Sequence, residues 1–178
     1  MRHDVAPNIT TARLLLRACE VSDFEDYAAM WADPRVTDFI GGTPRLRGES
    51  WRRFCVGTGL WPLHGYGYWL FVERSTNKMV GVGGLATFER GLAELKNFPE
   101  AGWAFAADSW GKGYASEAVA AFLAWSDSTV GAPEIRCIIS PENAASIQVA
   151  KKCGFSELGR VNFEDSATIV FSRRSVRF

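Results

Sequence analysis

Two glycines one residue apart, Gly111 and Gly113, stand where an aromatic, strand-like stretch gives way to an alanine-rich run, between Phe98 and Trp125. Glycine lets the backbone take positive φ and lets a ligand approach closely. The run from Tyr114 onward has helical composition, and the first turn of a helix leaves several N–H groups without internal partners. Those groups and the helix dipole favour a bound phosphate. The spacing then limits whose phosphate it is. A P-loop sets its glycines wider apart and follows them with Lys and Ser or Thr, whereas here Lys112 lies between the glycines. The dinucleotide fingerprint needs a third glycine where Ser116 is found. What remains is a short loop over a helix N-terminus, sized for a pyrophosphate.

Polar residues flank this loop on both sides. Upstream, Glu100 begins a strand that runs to Ala106. Downstream, Asn143 reads as an N-cap, with Ser146 in the first turn of the helix that follows. Each residue has a plain structural reading, Glu100 as a solvated strand-start carboxylate and Ser146 as a polar first-turn residue.

The elements that must position these groups follow from periodicity and punctuation. Thr10 to Ala18, with its leucine run, suits a buried strand. Ser22-Asp23-Phe24-Glu25 is a capping-box pattern opening a helix, whose Phe24, Tyr27, Ala28 and Trp31 share one face and which Asp33-Pro34 ends. Thr37 to Gly48 reads as a loop, and Glu49 to about Thr58 as a second helix broken by Gly57, Gly59, Pro62 and Gly65. Tyr66 to Glu73 alternates as a strand, with Tyr68, Leu70 and Val72 opposite Trp69 and Phe71. Met79 to Phe88 is its hairpin partner, and Leu92 to Lys96 reads as a further strand fragment. Ile135, Cys137 and Ile139 mark one face of a strand at Glu134 to Ile139; Gly154 is the C′ residue of the next helix; Glu157 to Glu164 and Ala167 to Ser172 close the chain as two strands. The order predicts an α/β architecture, a mixed sheet with helices on both faces, and a right-handed parallel crossover around the central helix.

The 178 residues suit a single domain, with residues 1–9 as an N-terminal extension and 173–178 as a tail. Lys and Arg together number 20, as do Asp and Glu, and a balanced charge argues against a nucleic-acid footprint. Cys19, Cys55, Cys137 and Cys153 are far apart and only His3 and His64 could join them, so no metal-ligand spacing exists. Buried free thiols in a reducing compartment fit better. No apolar run approaches a membrane span, and the N-terminus lacks a signal-peptide core. The expectation is a cytoplasmic protein with no metal, no nucleic-acid partner and no membrane contact, as a monomer or homodimer.

Trp110-Gly111-Lys112-Gly113-Tyr114-Ala115-Ser116-Glu117-Ala118 resembles the acetyl-coenzyme A signature of the GNAT superfamily of N-acetyltransferases, in particular its RimJ/RimL-like branch. Three further stretches resemble the same branch in the same order: Thr11 to Arg17, Lys78 to Leu85, and Asn143 to Ser146 with Lys152-Cys153-Gly154-Phe155. The resemblance spans about Thr10 to Phe171. It implies a GNAT-like fold, a mostly antiparallel mixed sheet of six or seven strands flanked by about four helices. It also implies direct transfer of acetyl from acetyl-CoA, as co-substrate, to a primary amine in a ternary complex. The amine would belong to a protein or peptide N-terminus or to a small molecule.

On that resemblance, Trp110, Gly111, Lys112, Gly113, Tyr114, Ala115 and Ser116 hold the pyrophosphate, mainly by backbone. Trp103, Ala104 and Phe105 lie along the pantetheine arm, and Asn143 and Ser146 touch the cofactor. Glu100 is the candidate base, with Glu94 and Glu89 as lesser candidates, and Ser146 is the candidate neighbour of the departing thiolate. Lys112 has two readings, a charge near the phosphates or a solvated loop lysine. Many relatives outside the branch carry a proton-donating tyrosine where this chain has Ala150, which leaves the donor as Ser146, a water or nothing. That departure keeps open a second function, a catalytically silent acyl-CoA-binding or sensing module. The acceptor side falls to Phe39–Trp51, Leu60–Tyr68 and Phe88–Phe98, whose Trp51, Trp61, Tyr66 and Tyr68 predict core packing or an apolar, weakly charged pocket.

Overall fold

The computed structural model describes residues 3–176. Its strands are β1 (Ile9–Thr10), β2 (Leu14–Arg17), β3 (Tyr68–Glu73), β4 (Lys78–Ala86), β5 (Glu100–Phe105), β6 (Glu134–Ile139), β7 (Ser156–Phe163) and β8 (Ser166–Arg174). Its helices are α1 (Phe24–Ala32), α2 (Pro34–Thr37), α3 (Arg47–His64), α4 (Tyr114–Thr129) and α5 (Ala144–Lys152). The strands form one sheet in the order β1-β2-β3-β4-β5-β6-β8-β7. Every neighbouring pair is antiparallel except β5 and β6, the parallel pair that brackets α4.

The mixed sheet stands as expected, with eight strands rather than six or seven. The opening leucine run splits into a hairpin, because the Thr11 N–H donates to the Leu14 carbonyl at 2.9 Å and turns the chain. The extra strand is β1, which pairs Ile9 with Leu16. Strand alternation sorts the core onto both faces. Trp69 and Phe71 join Leu14, Leu16, Phe122, Ile135, Cys137 and Phe171 under α4 and α5. Leu70 and Val72 join Phe24, Tyr27, Ala28, Trp31 and Phe54 under α1 and α3.

Several local expectations change. A short 3-10 turn at Val21–Asp23 precedes α1, and its capping box runs from Glu20 to Asp23 rather than from Ser22. The second helix is longer than its sequence suggests, passing through Gly57, Gly59 and Pro62 to His64 and stopping at Gly65 in the left-handed region. Burial of Leu60 and Trp61 holds this last turn despite the breakers. Leu92 to Lys96 is no strand; Ala93–Leu95 forms a 3-10 turn. Strand β8 reaches Arg174, into residues read as a tail, and Arg173 pairs with Asp127 of α4 at 2.6 Å. At the other end Ala6 is buried and the Pro7 carbonyl accepts from the Trp69 indole at 2.7 Å. Residues 1–2 and 177–178, parts of the extension and tail, lie outside the described residues.

All four cysteines are free; Cys137 is buried, Cys19 and Cys153 are partly buried, and Cys55 is exposed, contrary to the expectation of buried thiols. Among the described residues no group of His, Cys, Asp and Glu could hold a metal ion. No described helix is long and apolar enough to cross a membrane.

Candidate active site

The site is built where the sheet comes apart. Strands β5 and β6 share a single parallel pairing, Glu100 with Arg136, supported by the Arg136 N–H donating to the Pro99 carbonyl at 3.0 Å. Beyond it the two strands diverge, so the β6-facing edge of Ala101 to Phe105 has no ladder partner. Unpaired strand edges are ready to hydrogen-bond an extended ligand. A cavity of about 650 Å³ lies against this opening, lined by Ala101–Ala104 of β5, Cys137–Ile139 of β6, and Ser140, Asn143 and Ser146 beyond.

The glycine loop stands at the N-terminus of α4, just past the end of β5. Gly111 and Gly113 have φ of +74° and +79°, values that favour glycine. Among the described residues nothing accepts from the N–H groups of Gly111, Lys112, Gly113, Tyr114, Ala115 or Ser116; the first helical bond donates from Glu117 to Gly113. That leaves a row of free donors at the positive end of a sixteen-residue helix. Trp110 is half exposed, and its indole N–H donates to the Phe105 carbonyl at 2.9 Å, tying the loop to β5. Lys112 is exposed, and its ammonium lies 6.0 Å from the Tyr114 ring centre. Tyr114 and Phe105 are buried in the core, so their side chains are closed to a ligand and only their backbones remain available.

Glu117, which the sequence suggests is a solvated or capping residue, instead anchors this loop. One of its oxygens accepts from the Thr11 hydroxyl at 2.6 Å and the Arg13 N–H at 2.8 Å, and the other accepts from the Arg13 guanidinium at 2.7 Å. Arg13 also donates to the Lys112 carbonyl at 2.7 Å. Burial raises the Glu117 carboxyl, but these bonds and the Arg13 charge outweigh it and leave the group below its ordinary 4.5.

Of the three candidate acids only Glu100 lines the cavity; Glu89 and Glu94 do not. Glu100 is buried rather than solvated, and both its oxygens accept from Arg90, at 2.6 and 2.9 Å. Burial works against the Arg90 charge, yet the bonds to Glu100 and the carboxylate's charge keep it raised. The Tyr68 hydroxyl sits over Gly102, where a Cβ would overlap it. Burial, and then the charge of Glu100, push that phenol up to about 12, while Arg53 and Arg90 pull it back.

Asn143 caps α5 as expected, accepting from the Ser146 N–H at 3.0 Å. Ser146 is partly buried and lines the same cavity as Glu100. Ala150 is fully buried against the core and does not line the cavity. The C-terminal turn of α5 follows the expected pattern, with Phe155 donating to the Ala150 carbonyl at 3.0 Å and Gly154 at φ +87°.

Where the acceptor was expected, most aromatics follow the packing reading, while the pocket is not the apolar, weakly charged one also considered. Of the four aromatics named there, only Tyr68 lines the cavity. Trp61 is core, Trp51 lies on the outer surface, and the Tyr66 hydroxyl bonds Thr87 at 2.6 Å. The remaining wall carries Arg45, Arg53 and Arg90. The pocket is therefore strongly charged, because Arg45 of the loop before α3 and Arg53 of α3 line it together with Arg90.

A family description reading "Acetyltransferase (GNAT) domain" matches residues 13–156. The uncharacterized N-acetyltransferase p20 of Bacillus licheniformis is 28% identical over 152 residues, covering 84% of this chain and 82% of the relative. A putative GnaT-family acetyltransferase structure from Bordetella pertussis has a TM-score of 0.83 at 28% identity, covering 94% of this chain and 99% of its own. A ribosomal-protein-S5-alanine acetyltransferase from Vibrio fischeri shares the fold, with a TM-score of 0.74 at 18% identity over 96% and 97% of the two chains. With the donor row at α4, the diverging strands and the family match over most of its length, the chain belongs to the GNAT acetyltransferase family and is an acetyl-CoA-dependent acetyltransferase.

Proposed function

We propose that the protein transfers acetyl from acetyl-CoA to a primary amine by direct attack in a ternary complex. The observation that carries this reading is a pair of features at the two ends of β5: free N–H donors at the start of α4, just past its end, and an unpaired β5 edge against a cavity lined by Glu100 and Ser146. The donor row fits a pyrophosphate, and the β5 edge fits the amide-bearing arm that follows it. The thioester carbonyl would then meet a backbone N–H of β5, the kind of donor that stabilises a developing oxyanion.

In the reaction the amine nitrogen bonds to the acetyl carbon and the carbon–sulfur bond breaks. The amine proton passes to Glu100, directly or through a water, and the departing thiolate takes a proton from the Ser146 hydroxyl or from water. Arg90 holds the Glu100 carboxylate at the cavity wall with a two-point grip, which fixes its position at the expense of its freedom to move.

One pair of observations favours a second reading, an acyl-CoA-binding module without turnover: Ala150 is buried where a proton-donating tyrosine is found elsewhere, and both Glu100 oxygens are held by Arg90. Calorimetric titration with acetyl-CoA and a free-thiol assay over a broad amine panel separate the two. Turnover with at least one amine supports the transferase; tight acetyl-CoA binding with no thiol release for any amine supports the module.

A further inference from the structure

The cavity's charges are divided between its walls. Glu100, Glu142 and Glu164 come from the strand side and the connections beyond it, whereas Arg45 and Arg53 come from α3 and the loop before it. Arg90 is already committed to Glu100. Arg45 and Arg53 are not: among the described residues neither has a carboxylate within ion-pairing distance. Asp38 is the acid on the same loop, and it is exposed and unpaired with either.

Both guanidinium groups are held in place. The Arg53 guanidinium carbon lies 4.2 Å from the centre of the buried Trp31 ring, a cation–π contact that takes up none of its N–H donors in a conventional hydrogen bond. No described residue accepts from those donors, and the charge is felt by both the Tyr27 and Tyr68 phenols. Arg45 is wrapped by its own loop, where it donates to the Ile40 carbonyl at 3.2 Å and packs so closely on Gly41 that a Cβ there would overlap it. One such bond leaves most of its donors unused. Two ordered, unpaired guanidiniums on a shared cavity wall are a recognition site for an anion.

We propose that the acceptor is a small amino acid-like molecule, whose carboxylate is held by Arg45 and Arg53 while its amine faces the Glu100 wall. This rests on the transferase reading above and specifies its substrate class. A neutral amine would leave both cations unmatched.

The test compares amino acids with their own carboxamides and decarboxylated amines, as kcat/KM corrected to the free-amine fraction. The carboxylate form is expected to be favoured by about ten- to a hundredfold, the range for hydrogen bonds between charged groups. Arg53→Gln and Arg45→Gln should each bring that ratio toward one. Calorimetry of an N-acetyl amino acid against the CoA-loaded protein reads the same site without turnover, and the carboxylate should bind more tightly than its carboxamide. Acetyl-CoA binding with a ratio at or below one, or a ratio unchanged in both variants, overturns the anion site alone. Failure to bind acetyl-CoA sinks the transferase reading and this site together.

Discussion

Glu100→Gln is the substitution that most sharply tests the mechanism, because the same carboxylate is both candidate base and structural partner. Its side chain is 6% exposed and accepts from two donors of Arg90, which is 26% exposed. Glutamine is nearly isosteric and keeps one oxygen for one of the two bonds. The loss is then one charge-assisted bond and the pairing of a partly solvated guanidinium, about 2 kcal/mol. For a chain of this length that lowers Tm by about 4–8 °C. Loss of a general base costs about 10²–10⁴ in rate, or roughly 3–5 kcal/mol of barrier. At a temperature well below Tm nearly all molecules remain folded, so the stability loss cannot imitate the rate loss. Arg90→Lys supplies the control: it keeps the carboxylate and a positive charge, loses the two-point grip, and should cost similar stability while retaining more than about a tenth of kcat. The assay is thiol release at saturating amine across the pH range, with thermal unfolding alongside. If Glu100→Gln matches the parent in kcat at every pH, Glu100 is not the base. If the two variants fall equally in kcat, the carboxylate acts only by holding the wall.

Gly113→Val should weaken acetyl-CoA binding more than it lowers stability, since Gly113 is at φ +79° beside the free donors and an added Cβ would reach Arg13 at 3.4 Å; unchanged affinity in a calorimetric titration would remove the pyrophosphate assignment. Ser146→Ala should lower kcat with little change in KM for acetyl-CoA, and an unaltered kcat would assign thiolate protonation to water. Glu117→Gln should cost about 1 kcal/mol at pH 7, seen as a Tm lower by about 2–4 °C, because half-exposed Arg13 gives a mostly solvated pair. The Glu117 carboxyl is lowered in the folded protein, so its contribution is fully present above about 4.5 and is lost as pH falls through the folded value. The gap in Tm between parent and variant should therefore close below pH 4.5; a gap independent of pH would refute the linkage.

The sequence by itself determined the parts whose cause is local. The Gly111 and Gly113 turn, the start of α4, the cap at Asn143 and the stop at Gly154 follow from backbone freedom and from donors that need partners. The two faces of β3 and of α1 follow from alternation and helical period, and the core sorts them as their spacing requires. These features also carry the family resemblance. The reach of α3 was not, because burial of Leu60 and Trp61 overrides the breakers around them.

Only the tertiary structure decided what surrounds the chemistry. Nothing near Glu100 in sequence says that Arg90 will grip both its oxygens; the connection through the 3-10 turn at Ala93–Leu95 brings them together. Glu117 finds Thr11 and Arg13 across the sheet, a pairing that no local pattern encodes. The aromatics expected around the acceptor largely went to the core or the outer surface, while Arg45 and Arg53 turned into the cavity. Periodicity tells which face of an element is buried, whereas the partner across a cavity depends on how distant elements pack. The physical reason is the divergence of β5 and β6: one pairing at Glu100 and Arg136, then an opening whose walls are drawn from four separate parts of the chain.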